Sequence, residues 1–347
     1  MKLLLKKKSD GIEMLDTHST IFQDVVSRAN SIQGMCTDYI ASGSDFSDIY
    51  LRSGCKFHAS TVIEREKDVL QRSFYRNAFS QLCSKIEVPV GYINSCLKRD
   101  NSWLAEKNII SWLNGKYCDT DFLVREHGDS IRAVLSPSYI CFDTPEILSA
   151  VSKHVSGMEI KGHLLTPERL HLRFISDKPL IEGDDLYSGI EIDSSDTGRA
   201  RISIQYFIFK QVCTNGLMFP FAHFVFFQQR HISRNMDFSL RSVFVANLKK
   251  LPEMEVQARS IISASRKSRT GNLDNIQGML ASALNSGTAA KGIIKLFNDR
   301  VKGNNGFQYE NNMFGVANAI TEFAQGYTLD RRIELEKYAG RMLLSAA

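Results

Sequence analysis

Cys213, with His223 or His231 downstream, is the one pairing in the chain that resembles a thiol nucleophile beside an imidazole base. Its neighbours are apolar, and a lone Cys on an apolar strand ordinarily packs as a small core residue. Five carboxylates, Asp184, Asp185, Glu191, Asp193 and Asp196, crowd one stretch and could hold Mg²⁺ as nucleases do. That stretch is also rich in Gly and Ser, where acids serve as turn formers. The seven cysteines and eight histidines show no zinc-type spacing. His163 and His171 flank a strand without making a familiar ligand pair, so neither a metal nor a cofactor is expected. There is no G-x-S-x-G elbow, no Walker A sequence and no strand-linked G-x-G-x-x-G. Residue chemistry therefore points to binding rather than to catalysis.

Charge supports that direction. The 347 residues carry 43 Lys and Arg against 38 Asp and Glu, a formal +5. The total conceals an asymmetry. From Asp177 to Asp196 there are seven acids and one base; from Arg230 to Lys302 there are thirteen bases and five acids. Arg230, Lys249, Lys250, Arg266, Lys267 and Arg269 could contact phosphates, each contact releasing condensed counterions. The aromatics Phe219, Phe221, Phe224, Phe226 and Phe227 lie just before them, as a stacking platform for single-stranded nucleic acid would. Two plainer readings compete. An aromatic strand is more often sheet core, and a basic helical segment is more often a solvated face or the partner of an acidic loop.

The elements that must position these residues follow from periodicity. Residues 1–60 have weak periodicity and many small polar residues, which suggests a weakly structured lead-in with one short helix near 19–29. Thr61-Val62-Ile63-Glu64 has capping-box spacing, so a helix is expected from Thr61 towards Pro89. A second helix covers Leu104–Asn114. From Asp121 the pattern changes to strands: a hairpin turning at His127-Gly128-Asp129, then runs at 170–175, 190–193, 202–209 and 219–227. A helix opening at Thr144-Pro145 interrupts them. Strands this close in sequence leave no room for crossover helices and imply an antiparallel meander. After Met236 helical periodicity dominates, with a break at Pro252 and helices near 272–285, 288–301, 312–326 and 329–345. The fold class expected is α+β. An antiparallel meander of about five to seven strands (core about 121–230) is packed by N-terminal helices and followed by a helical part at 236–347, all in one domain over 61–347.

Composition agrees with a folded chain. A hydrophobic share of 43% with 23% charged residues excludes collagen-like, largely disordered and membrane-embedded classes. The three-residue apolar run after Met1-Lys2 is too short for a signal peptide, and Leu217–Phe227 is too short to span a bilayer. Scattered, odd-numbered cysteines fit reduced thiols. A cytoplasmic location with no membrane partner is the expectation.

Several blocks then resemble one family. Val212-Cys213-Thr214-Asn215-Gly216-Leu217 is similar to the most recognisable block of the phage/plasmid-like family known as domain of unknown function 932. Gly183-Asp184-Asp185 and Gly189 to Gly198 resemble its preceding strand and turn, with Ser194 and Asp196 where that family usually has Asn and Glu. Ser195 and Gly198 belong to the same block. Arg132-Ala133-Val134-Leu135-Ser136-Pro137-Ser138-Tyr139 resembles an upstream element, and Arg230-His231 and Asn318 to Ala324 resemble later ones. The resemblance implies a mobile-element protein of a bacterial cytoplasm and supplies no established active site. With the charge pattern, it leads to a nucleic-acid-binding protein for single-strand binding or annealing in replication and recombination. Annealing would require a homo-oligomer such as a ring or filament. A protein–protein interaction module and a metal-dependent nuclease are the alternatives.

Overall fold

The computed structural model describes residues 20–52, 58–65, 68–210, 217–229, 239–303 and 308–345. Helix α1 (Thr20–Gly34) leads into β1 (Cys36–Ser42), β2 (Phe46–Arg52), β3 (His58–Arg65) and β4 (Asp68–Phe74). Three helices follow: α2 (Arg76–Lys85), α3 (Val90–Lys98) and α4 (Ser102–Asn114). The hairpin β5 (Asp121–His127) and β6 (Ser130–Leu135) then precedes α5 (Thr144–Ser152). Five strands come next: β7 (Met158–Leu165), β8 (Leu170–Pro179), β9 (Leu186–Ser194), β10 (Ile202–Lys210) and β11 (Leu217–Gln229). The chain continues through α6 (Ser239–Leu248), α7 (Leu251–Lys267), α8 (Leu273–Leu284), α9 (Gly287–Val301), α10 (Met313–Ala324) and α11 (Leu329–Ser345).

The class is α+β, as the sequence indicates, but the strands form two sheets. The second is a true meander of five antiparallel strands in the order β11-β10-β9-β8-β7. Strand β10 becomes apolar on both faces from Tyr206 to Phe209, as suits an interior strand flanked by β9 and β11. The first sheet has six strands, β1-β5-β6-β4-β3-β2, with β4 parallel to β6 and every other pair antiparallel. It draws mostly on residues that the sequence reading placed outside the sheet.

Two expectations are corrected here. Among the described residues the segment before residue 60 is well structured: the short helix expected near 19–29 is present as α1, and strands follow it. From Thr20 it supplies a helix and two strands, and residue 60 itself falls within the β2–β3 pairing. The helix expected from Thr61 is a β-hairpin, β3 and β4, and helix begins only at Arg76. Thr61 is buried and gives its hydroxyl to the Asp48 carbonyl across the β2–β3 ladder at 2.6 Å instead of capping a helix. Thr61-Val62-Ile63 are all β-branched, which favours the pleated form.

Each sheet has its own apolar core. On the first, Ile49, Ile63, Val124 and Val134 pack with Phe79, Leu82, Ile93 and Ile109 from α2, α3 and α4. On the second, Leu172, Phe174, Ile190, Ile192 and Ile204 pack with Phe22 of α1, Leu148 of α5 and residues of α7 to α10. Three local signals act as expected. Gly128 takes φ +57° at the β5–β6 turn, and Pro252 and Pro145 sit in the first turns of α7 and α5.

Candidate functional site

Two of the resemblance blocks, 132–139 and the turn after β9, meet where the two sheets join. Pairing of β5 with β6 runs from Arg125 opposite Ala133 to Glu126 opposite Ile131, so Arg132 is the extra residue of a bulge. A bulge re-aims the side chain it carries. Arg125 and Arg132 thereby both reach the turn after β9, and they are among the largest fully buried side chains, 0% and 1% exposed.

Arg125 is satisfied from three sides. Its Nε and Nη2 donate to the two oxygens of Asp38, its cross-strand neighbour on β1, both at 2.9 Å. Nη2 also donates to Asp143 Oδ1 at 2.8 Å, and Nη1 to the Asp196 carbonyl at 2.5 Å. Asp143 is the N-cap residue of α5, so one carboxylate ties the helix start to the first sheet. Burial works against the Arg125 charge, but Asp143 and Asp38 more than compensate and hold it firmly protonated. Arg132 Nη1 donates to the Pro167 carbonyl at 2.7 Å and to Asp196 Oδ2 at 3.1 Å. Its Nε and Nη2 find no hydrogen-bond partner among the described residues.

The turn itself is clasped by hydroxyls. Tyr139 donates to the Ser195 carbonyl at 3.1 Å; Ser195 donates to the Glu168 carbonyl at 2.7 Å and accepts from Arg199 N. Gln81 of α2 donates to the Thr197 carbonyl at 2.7 Å and accepts from Val134 N at 3.0 Å. Gly198 closes the turn at φ +74°, where a Cβ would stand 3.0 Å from Leu135 Cδ2. The positive φ favours glycine here, and a Cβ would also make Leu135 shift slightly.

Arg132, Tyr139, Ser195, Asp196 and Gly198 are therefore one constellation, assembled from two separate parts of the sequence, 132–139 and 195–198. Ser136 stays beside it, its hydroxyl 2.9 Å from that of Ser138. Asp184 is not part of it. Cys213, Thr214, Asn215, Gly216, Arg230 and His231 lie outside the described residues, as do the side chains of β11, including His223 and the five Phe residues. Asp38, Arg125 and Asp143 were missed as site residues. The signal available for Arg125 was a charge set in a strand, Phe122-Leu123-Val124-Arg125, apolar on both faces.

This constellation is a buried clasp rather than an open reaction site. Burial pushes the Cys36 thiol up to about 11 and holds the Tyr139 phenol well above its usual range, so both stay protonated at neutral pH. No two of the five described cysteines, Cys36, Cys83, Cys96, Cys118 and Cys141, form a disulfide with each other.

The carboxylates considered for Mg²⁺ separate in space by partner. Asp196 faces Arg132, and Asp184 pairs with Arg266 of α7 at 2.6 Å. Glu191 and Asp193 stay together on β9, joined by His171 of β8, with a ligand atom from each within 4.8 Å of the others. This cross-strand group is invisible to spacing rules.

The basic residues divide likewise. Lys249 and Lys250, at the α6–α7 junction, Lys267, the last residue of α7, and Arg269 just beyond it are exposed. Arg266 is not available for phosphate: Asp184 and Glu310, 3.3 Å away, hold its guanidinium, and Phe314 lies beneath it at 5.0 Å. For that residue the acidic-loop reading is the correct one. Among the described residues no helix is long and apolar enough to cross a membrane. No protein-family model, curated protein or solved structure matches the chain.

Proposed function

We propose that this chain is a nucleic-acid-binding protein of a phage or plasmid, acting in a bacterial cytoplasm in single-strand binding or annealing, and assembling as a homo-oligomer when it anneals. The observation that carries this reading is the C-terminal helical surface. Arg241, Lys249, Lys250, Arg259, Lys267, Arg269, Lys291, Lys295 and Lys302 are all exposed there, and none forms an ion pair with another described residue. Unpaired cations on a rigid helical scaffold suit a phosphate backbone, whose affinity is mainly electrostatic. Among the described residues, the acids of the preceding connection that form ion pairs form them elsewhere: Asp184 with Arg266, Glu191 with Arg173, Asp193 with Arg169 and Asp196 with Arg132.

Exposed aromatic residues add a stacking element. Trp103 and Trp112 of α4 are 55% and 42% exposed, with Lys107 and Lys116 each 5.6 Å from a ring centre. They are the only two tryptophans in the sequence, so stacking of a base on α4 would appear as quenching of intrinsic fluorescence. The family resemblance supports the mobile-element context. The test is a gel shift and strand-annealing assay with labelled single- and double-stranded DNA over a range of salt. Retarded single strands at low salt, released as salt rises, are expected. Absence of any shift at low salt rejects the reading.

A further inference from the structure

We infer that His171, Glu191 and Asp193 form a binding site for a divalent first-row transition cation, Zn²⁺ or Mn²⁺, on one face of the five-stranded sheet. The three residues occupy adjacent positions of one ladder. His171 lies directly opposite Asp193 and Arg173 directly opposite Glu191. Antiparallel cross-strand neighbours on one face are about 4.5–5.5 Å apart at Cβ, so the strands hold the three side chains against one another without a loop. Their ligand atoms lie within 4.8 Å of one another. His171 Nδ1 is 3.2 Å from Asp193 Oδ1 and is buried without a hydrogen bond of acceptable geometry. Ligands bound about 2.1 Å from an ion at tetrahedral or octahedral angles sit about 3.0–3.4 Å apart. The His171–Asp193 separation therefore already matches the edge of a coordination polyhedron.

The surroundings prepare these groups for a metal. Arg173 Nε holds Glu191 Oε2 at 2.6 Å, which orients the carboxylate and leaves its other oxygen for an ion. Arg169 Nη2 holds Asp193 Oδ1 at 2.9 Å. Outer partners of this kind orient metal-bound carboxylates. Arg169 is 37% exposed and can turn to solvent as a cation arrives. One imidazole and two carboxylates form a mixed nitrogen–oxygen set suited to Zn²⁺ or Mn²⁺, and three protein ligands leave a coordination position open. The site stands independently of the nucleic-acid reading.

The experiment is calorimetric titration of chelator-treated full-length protein with ZnCl₂ and, separately, MnCl₂, with thermal melts on the same samples. Wild type is expected to take up one equivalent of at least one cation and to melt at a higher temperature when loaded, because a ligand bound only by the folded state stabilises it. His171→Ala, Asp193→Asn and Glu191→Gln should each weaken uptake at least about tenfold. The two amide variants preserve side-chain shape, and circular dichroism establishes that each variant is folded. Absence of saturable uptake by wild type overturns the inference. So does undiminished uptake by the folded Asp193→Asn and Glu191→Gln variants.

Discussion

At the scale of single residues, the molecule is held by charges placed where water does not reach, and their worth depends on whether each has its partner. Arg125 is fully buried and answered by Asp38 and Asp143. Removing Asp143 leaves Arg125 its two bonds to Asp38 but deletes a charged hydrogen bond to a buried guanidinium, a loss of about 1.5–3 kcal/mol. Asp143→Ala is therefore expected to lower the urea midpoint by a loss of that order. Glu336 of α11 is the opposite case. It is fully buried, its Oε1 accepts from Arg332 at 2.7 Å, and Arg173 Nη2 is 3.7 Å from its Oε2. Burial nevertheless raises its pKa above the usual 4.5. A raised carboxyl means that the folded state binds its proton more tightly than the unfolded state. Its contribution to stability thus falls as pH rises through the window between the two pKa values, and at neutral pH the ionised form carries the penalty. Glu336→Gln, which keeps an acceptor for Arg332, is expected to be neutral or stabilising at pH 7. That advantage should shrink as pH falls towards 4.5. Denaturant midpoints of both proteins across this range measure it, and an advantage that grows on acidification would contradict the assignment.

At the scale of elements, boundaries are set by caps and turns that the sequence displays, whereas sheet partners are not. Asn312 illustrates the first kind. Its side chain accepts from Gly315 N at 3.0 Å at the start of α10 and donates to the Arg266 carbonyl at 2.9 Å, joining two helices through one amide. Asn312→Ala should cost about 1–2 kcal/mol, a cap together with a cross-helix bond, read from the shift in unfolding midpoint. Helices α4 to α11 and strands β5, β6 and β8 to β11 were legible because their periodicity was strong and bounded by Gly or Pro. The segment of β1 to β4 was not, for two physical reasons. Val62, Val69, Leu70 and Phe74 satisfy a helical repeat by chance, and Thr61 to Glu64 has the spacing of a cap. A strand such as β1, which pairs with β5 some eighty residues on, also has no local counterpart to reveal it. The site was legible in part for the same reason. Arg132, Tyr139, Asp196 and Gly198 stood out by resemblance, but Asp38 and Asp143 acquire meaning only when the fold carries them to Arg125. His171, Glu191 and Asp193 are joined solely by strand register.

At the scale of the whole molecule, a formal +5 becomes informative once each charge has a place. Arg125, Arg132, Arg173 and Arg266 are committed to internal acids, whereas Lys249, Lys250, Lys267 and Arg269 are exposed. These two classes should behave differently when nucleic acid is titrated. For single strands, each cation that neutralises a phosphate contributes about 0.7 to the magnitude of the slope of log affinity against log salt. Replacing Lys249, Lys250, Lys267 and Arg269 together by Ala should lower that magnitude by up to about 3, weaken binding most at low salt and leave the melting temperature nearly unchanged. Arg266→Gln should do the reverse: little change in the salt slope, and lower stability from the loss of the Asp184 and Glu310 pairings and of the stack on Phe314. Fluorescence anisotropy of a labelled oligonucleotide at several salt concentrations, run beside thermal melts, separates the two outcomes. If Arg266→Gln changed the slope as a lysine replacement does, its guanidinium would have to leave Asp184 for phosphate, and the acidic connection would then act as a gate on the basic surface. If the quadruple variant kept the wild-type slope, the phosphate-binding surface would lie elsewhere, and Trp103 and Lys107 on α4, where quenching reports directly, would be the next place to look.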